Sequence, residues 1–241
     1  MVATPLDSVV VRTAGERRLY TWAALIALVA VFAGFAPTYY LRGVFDSPEL
    51  TTLKHVHGLV MTAWFALFLV QVRLVATGRV QMHRKLGVAG AALAVLVIFV
   101  GTSLGIASAR AGAAPAGLPP LVFLVLPLGE MVAFGGLVAA AVFLRKRGAW
   151  HKRLMLLASI AMLSPALARL PFDFVRAGGP PVFFGLTDAI ILGCIAFDTV
   201  RNRRLHPAFA AGLAFIVVVQ FGRLALSQTP QWMAFAKWLV G

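Results

Sequence analysis

The apolar residues of this chain come in long unbroken blocks, not in the two-residue alternation of strands or the narrow stripe of a surface helix. The blocks cover residues 20–40, 55–76, 86–108, 120–144, 154–170, 181–200 and 207–226. A helix rises 1.5 Å per residue and the bilayer hydrocarbon core is about 30 Å thick, so about 20 apolar residues make one crossing. The pattern predicts an all-α polytopic membrane protein of seven transmembrane helices. Segment 229–241, with Trp232, Lys237 and Trp238, is too short to cross and predicts an interfacial helix. The connection 109–118, rich in Ala and Gly, predicts a plain loop.

Basic residues orient the blocks. Arg12, Arg17 and Arg18 precede the first. Arg73, Arg79, Arg84 and Lys85 lie between the second and third. Arg145, Lys146, Arg147, Lys152 and Arg153 lie between the fourth and fifth, and Arg201, Arg203 and Arg204 between the sixth and seventh. These segments hold 15 of the 22 Lys and Arg, all on one side, which the positive-inside rule makes cytoplasmic. The expected organisation is N-in and C-out: a cytoplasmic tail at 1–19, a transmembrane domain at 20–228 and an external interfacial tail at 229–241. The expected location is the bacterial inner membrane, multi-pass.

Composition agrees: 61% of residues are hydrophobic and 12% charged, too few charges to cover a soluble surface. The net charge of +14 would suggest nucleic acid in a soluble protein. Here the basic residues fill gaps between crossings, so no nucleic-acid partner is expected. The single Cys194 excludes an intramolecular disulfide and a CxxC site. Asp7 and Glu16 in the opening segment, with its short apolar run, do not fit a signal peptide, so the first block is expected to be retained.

One motif is duplicated. Arg79-x-x-x-His83-Arg84-Lys85-Leu86 reappears as Arg147-x-x-x-His151-Lys152-Arg153-Leu154, each at the start of an outward-running block. A weaker version, Arg203-Arg204-Leu205-His206, precedes the seventh block. This suggests one leading helix followed by three similar hairpins. Selection for basic residues on one side produces the same look and stays an alternative. Gly101-x-x-x-Gly105 and Gly135-Gly136 suit close helix packing within one bundle.

Ionisable residues inside a bilayer cost several kcal/mol unless paired or hydrated, so each needs a reason. Glu130 lies about 15 Å into the fourth block, near the midplane, just after Pro127. Asp188 lies about 10 Å into the sixth. Arg169 and Arg223 stand near the outer ends of the fifth and seventh, Asp173 follows Arg169, and His55 and His57 open the second. Their shared depth suggests an outward-facing polar pocket built from His57, Glu130, Arg169, Asp188 and Arg223. The plainer alternative pairs Asp188 and Asp173 with Arg169 and Arg223 as staples. Asp198 sits near Arg201 and suggests an interfacial ion pair. On a helix His55 and His57 point about 200° apart, and no compact motif supplies metal ligands, so no metal is expected.

On the inner side His83 and His151, with Arg79 and Arg147, are candidates for anionic lipid or for haem. They sit in basic turns, whereas an axial ligand normally has apolar surroundings. Gln71, Gln220 and Ser164-Pro165 suggest helix-to-helix hydrogen bonds and a kink. There is no GxSxG, phosphate-binding glycine loop or HExxH, so catalytic residues remain unassigned. A retinal Schiff base would need a lysine deep in the last crossing, and Lys237 lies in the tail.

The stretch His55-Val-His57-Gly58, Gln71-Val-Arg73, Gly78-Arg79, His83-Arg84-Lys85-Leu86-Gly87, then His151-Lys152-Arg153-Leu154-Met155 and Arg169 resembles a group of bacterial membrane proteins of unknown function. They share a histidine-glycine helix start, an HRxLG turn and an HRRxM turn. The resemblance covers about half the chain, the second to fifth blocks. It implies a multi-helix membrane fold and no particular activity. More distantly, the same portion is similar to cytochrome b561-like haem bundles, which implies b-type haem, although the two matched His pairs at apolar depth are missing here.

The residues therefore leave three readings: a membrane protein whose outer polar pocket binds a small ligand, ion or lipid; a b-type haem redox protein using His83 and His151; or an accessory subunit whose charges only pair. The bilayer is the expected partner, with anionic lipid at the inner face. Cofactor, enzymatic activity and oligomeric state stay open.

Overall fold

The computed structural model describes residues 14–115 and 118–241. Asp7, Arg12 and most of the expected tail lie outside the described residues, as does part of the connection 109–118.

The described chain is helical. Helix α1 (Ala14–Phe35) ends in a π-helical turn, Ala36–Tyr40. Then come α2 (Thr52–Ala76), α3 (Val80–Arg110), α4 (Pro120–Phe143), α5 (Gly148–Ala161), α6 (Ser164–Leu167), α7 (Asp173–Asn202), α8 (Pro207–Leu226) and α9 (Pro230–Val240). Among the described residues, six stretches are long and apolar enough to cross a membrane: Arg17–Tyr40, Thr52–Ala76, Val80–Arg110, Pro120–Phe143, Ala177–Asn202 and Pro207–Leu226. Each contains one of the apolar blocks, to within one residue at 144. Large apolar side chains such as Phe99, Phe143 and Phe221 point away from the bundle, as expected of a surface that meets lipid.

The fifth block departs from a single straight helix. Pro165 has no N–H for the Ala161 carbonyl four residues back, and the helix breaks between Ala161 and Ser164. Ser164 Oγ donates to the abandoned Ala161 carbonyl at 3.3 Å. This segment is the most enclosed in the molecule, with Leu156, Leu157, Ala158, Ser159 and Leu163 wholly buried. It runs beside α1: Lys152 lies over the Tyr20 ring, and a side chain at Gly34 would strike the Ala166 carbonyl. From Tyr20 to Gly34 is about 21 Å of helix. The sixth block also continues beyond its expected start. α7 begins at Asp173 and turns sharply at Gly179, whose φ of 57° suits a residue without Cβ.

Lipid tails are as apolar as leucine, so packing and small residues hold such helices together, not expulsion from water. Gly101 and Gly105 both face α4. A Cβ at Gly101 would lie 2.5 Å from Met131 Sδ, and one at Gly105 3.3 Å from Pro127. Gly135 meets Ile98 of α3 and Gly136 meets Phe215 of α8, so adjacent glycines seat two neighbours.

The basic turns before α3, α5 and α8 gather at one end. At the opposite end α9 lies across α3 and α4. Thr229 caps it by accepting from Trp232 N at 3.2 Å, and it buries Trp232 and Ala236 while exposing Phe235 and Trp238. Trp232 Nε1 donates to the Leu121 carbonyl at 2.8 Å. Arg110 holds the last turn, giving Nε to the Val240 carbonyl at 2.7 Å.

Candidate functional site

Glu130 and Arg223 form a buried ion pair between α4 and α8. Arg223 Nη1 donates to Glu130 Oε2 at 2.7 Å and to the Leu126 carbonyl at 2.9 Å. The guanidinium lies over the Phe184 ring of α7, 4.2 Å from its centre. Gly129 makes this approach possible, since a Cβ there would come within 2.7 Å of Arg223 Cδ. Pro127 lies one residue beyond that carbonyl, inside α4. Among the described residues the pair is incompletely satisfied: Glu130 Oε1 and Arg223 Nε are buried without partners. One acceptor and one donor of the pair are thus left open, in surroundings where an unmade hydrogen bond costs about 1–3 kcal/mol.

Asp188 of α7 adjoins this pair and interacts electrostatically with Arg223. Gln220 of α8, one turn before Arg223, donates Nε2 to Asp188 Oδ1 at 3.0 Å. Asp188 is half-buried, whereas Gln220, Glu130 and Arg223 are buried. Three of the five expected pocket residues therefore share one neighbourhood, with Gln220 added. His57 and Arg169 make their contacts elsewhere, near the far ends of α1 and α2. Arg169 Nη1 donates to the Pro165 carbonyl at 2.7 Å, its guanidinium lies 4.6 Å from the Phe35 ring centre, and its charge reaches His57. His55 and His57 both lie inside α2, so their rings diverge. Among the described residues, no three of His, Cys, Asp and Glu gather as metal ligands.

The simple acid–base pairings suggested by sequence are rearranged. Arg223 takes Glu130, a residue of another helix at its own depth, and Asp173 is exposed at the start of α7. Asp198 pairs with an arginine of another helix. Its carboxylate accepts from Arg153 Nε at 3.1 Å and Nη2 at 2.8 Å, a bidentate pair that is almost wholly buried. Arg153 also gives Nη1 to the Ala149 carbonyl at 2.9 Å. Close by, His206 Nδ1 accepts from Ala208 N at 3.1 Å and caps α8. Burial and then the adjoining Arg153 charge hold this ring below the usual histidine range, against the opposing pull of Asp198.

The duplicated turns meet. The His83 and His151 rings lie 6.2 Å apart between centres, inclined by 76°. Gln71 of α2 reaches the same place. Its Oε1 accepts from Gly87 N at 3.0 Å and its Nε2 donates to His83 Nδ1 at 2.7 Å. A backbone N–H can only donate, so Gly87 fixes the amide, and the amide fixes the proton of His83 on Nε2. His151 Nδ1 faces the Ala141 carbonyl at 2.9 Å, which only accepts, so its proton sits on Nδ1.

Sequence missed the Arg153–Asp198 and Glu130–Arg223 partnerships, because in helices apolar all round nothing marks which face meets which neighbour. A signal was present for the second: Gly129 beside a buried acid leaves room for a large partner. Compared with known proteins, the chain matches no family model, no curated protein and no solved structure.

Proposed function

We propose that the chain is a seven-crossing protein of a bacterial inner membrane, N-terminus in and C-terminus out, with a polar site in its outer half that binds a small ligand or ion. The broken pair α5–α6 supplies the seventh crossing in this reading. Its course beside α1 from Tyr20 to Gly34 supports that, as does the basic character of the turn inside each hairpin. With the basic end inside, α9 lies on the outer face.

The observation that carries the site is the open acceptor and donor of the Glu130–Arg223 pair beside half-buried Asp188. Glu130 and Asp188 together exceed Arg223 by one formal negative charge. Such a cluster suits a small cation or a group rich in hydrogen-bond donors. Native mass spectrometry of the protein released from lipid nanodiscs tests this. A small-molecule or ion adduct on the wild type, absent from Glu130→Gln and Asp188→Asn variants that still fold, is the expected result. Adduct-free spectra throughout, with the variants merely less stable, would leave the cluster a structural staple.

A further inference from the structure

We propose that Arg169 and His57 form a seat for the carboxylate of an organic acid, at the end of the bundle opposite the basic turns. The seat shares no residue with the Glu130–Arg223 cluster and does not depend on it. It begins with the break at Pro165. Just past α6, the Arg169 N–H turns back to the Ala166 carbonyl at 3.1 Å, which leaves the Pro165 carbonyl without its usual helical donor. Arg169 Nη1 takes that carbonyl instead, at 2.7 Å. The close approach of Gly34 to the Ala166 carbonyl sets the end of α1 beside this turn. Phe35, the next residue, then places its ring centre 4.6 Å from the guanidinium.

The guanidinium is thus fixed at one corner and on one face. Arg169 is exposed, and its Nε and Nη2 donors, which share one planar edge, have no partner among the described residues. Two donors on one edge match the two oxygens of a carboxylate. The acids on the adjoining segments are Asp46, Glu49 and Asp173, all exposed, and among the described residues none of them pairs with Arg169. The other charged groups on those segments are Arg42 and Lys54. The chain therefore supplies the fork of a carboxylate site without the carboxylate.

His57, half-buried in the second turn of α2, lies within electrostatic reach of Arg169, and among the described residues its ring makes no hydrogen bond. A neutral imidazole carries one N–H, a third donor for an oxygen held at Arg169. One formal charge matches a monoanion and a planar edge matches a planar group, so a carboxylate fits this seat better than a phosphate dianion. Pinning a long side chain gives up its rotamer freedom before a ligand arrives, which is how a preorganised site lowers the cost of binding. An arginine that only reached for water would gain nothing from that loss.

The carboxylate can belong to a water-soluble acid or to a fatty acid in the bilayer, and the test separates them. Full-length protein in phosphatidylcholine nanodiscs is titrated with acetate and, separately, with oleate, and melting temperature is read. Chloride at equal ionic strength controls for screening, oleyl alcohol for the acyl chain and inorganic phosphate for the class of anion. At least one acid should stabilise beyond all three controls. Stabilisation by acetate, with or without oleate, identifies a seat open to water; stabilisation by oleate alone identifies a membrane-borne ligand. Arg169→Lys keeps the charge but loses the fork, and Arg169→Gln keeps a donor for the Pro165 carbonyl. Each should weaken carboxylate binding at least about tenfold, and His57→Phe should weaken it about threefold. Acids that do no better than chloride and the alcohol, phosphate that does better than either acid, or an Arg169→Lys variant that responds as the wild type does would overturn the proposal.

Discussion

Arg223 is gripped from four directions: by the Glu130 carboxylate, the Leu126 carbonyl, the Phe184 ring and the gap left at Gly129. Removing one partner of a buried ion pair strands the other charge, at a cost of about 3–5 kcal/mol, while replacing both is often close to neutral. Arg223→Met and Glu130→Gln should each lower stability by that order, and the double variant should recover most of the loss, as read by denaturation in nanodiscs. Equal additive losses would show that the two side chains act separately. Gly129→Ala should cost about 1–3 kcal/mol through crowding at Arg223 Cδ. His206 gives a pH-dependent effect whose sign is fixed. Its Nδ1 must be unprotonated to cap α8, and its folded affinity for protons lies below the unfolded one. Its contribution is therefore complete above about pH 6.5 and is lost as pH falls below that. His206→Asn keeps the cap without titrating, so melting curves between pH 7.5 and 5 should fall less steeply than those of the wild type. Depth along a helix was readable for Glu130 and Asp188 from residue counting alone. Their partners were not, because pairing depends on rotation about helix axes that apolar surroundings leave unmarked.

The break at Ser164-Pro165 decides how the fifth block is used. Sequence showed the proline and a run of apolar residues; the proline marked the break seen in the structure, and the run led to the expectation of a crossing. It did not show that this block would be the buried centre, since apolar runs make up every block; enclosure comes from the order of packing, not from composition. α6 is positioned by Gly34, where the backbone of α1 meets the Ala166 carbonyl. Gly34→Val should push α6 from α1 and destabilise by about 1–3 kcal/mol, visible as increased protease cleavage near residues 162–172. A stability loss without new cleavage there would mean the strain is absorbed by α1 instead. Conversely, the small pair Gly101 and Gly105 matched expectation directly, because a residue without a side chain announces a close neighbour whatever its rotation.

On the scale of the molecule, the basic end carries the duplicated histidine turns and the opposite end carries α9. A reporter fused after Gly148 should be cytoplasmic and one after Gly241 external, as read by paired phosphatase and fluorescent-protein fusions. Finding both on one side would remove either α5–α6 or another segment from the set of crossings. The anchoring of α9 has a further consequence for how the chain assembles. Its bonds from Arg110 to Val240 and from Trp232 to Leu121 join positions 130 and 111 residues apart in sequence. During synthesis α3 and α4 form long before α9 exists, so the ends that α9 covers must wait, open, until it emerges and folds over them. That makes α9 a late clasp: damage to Arg110 or Trp232 should act less on insertion than on the final closing step, leaving a chain that has reached the bilayer but whose α3 and α4 ends remain uncovered and accessible to quality-control proteases.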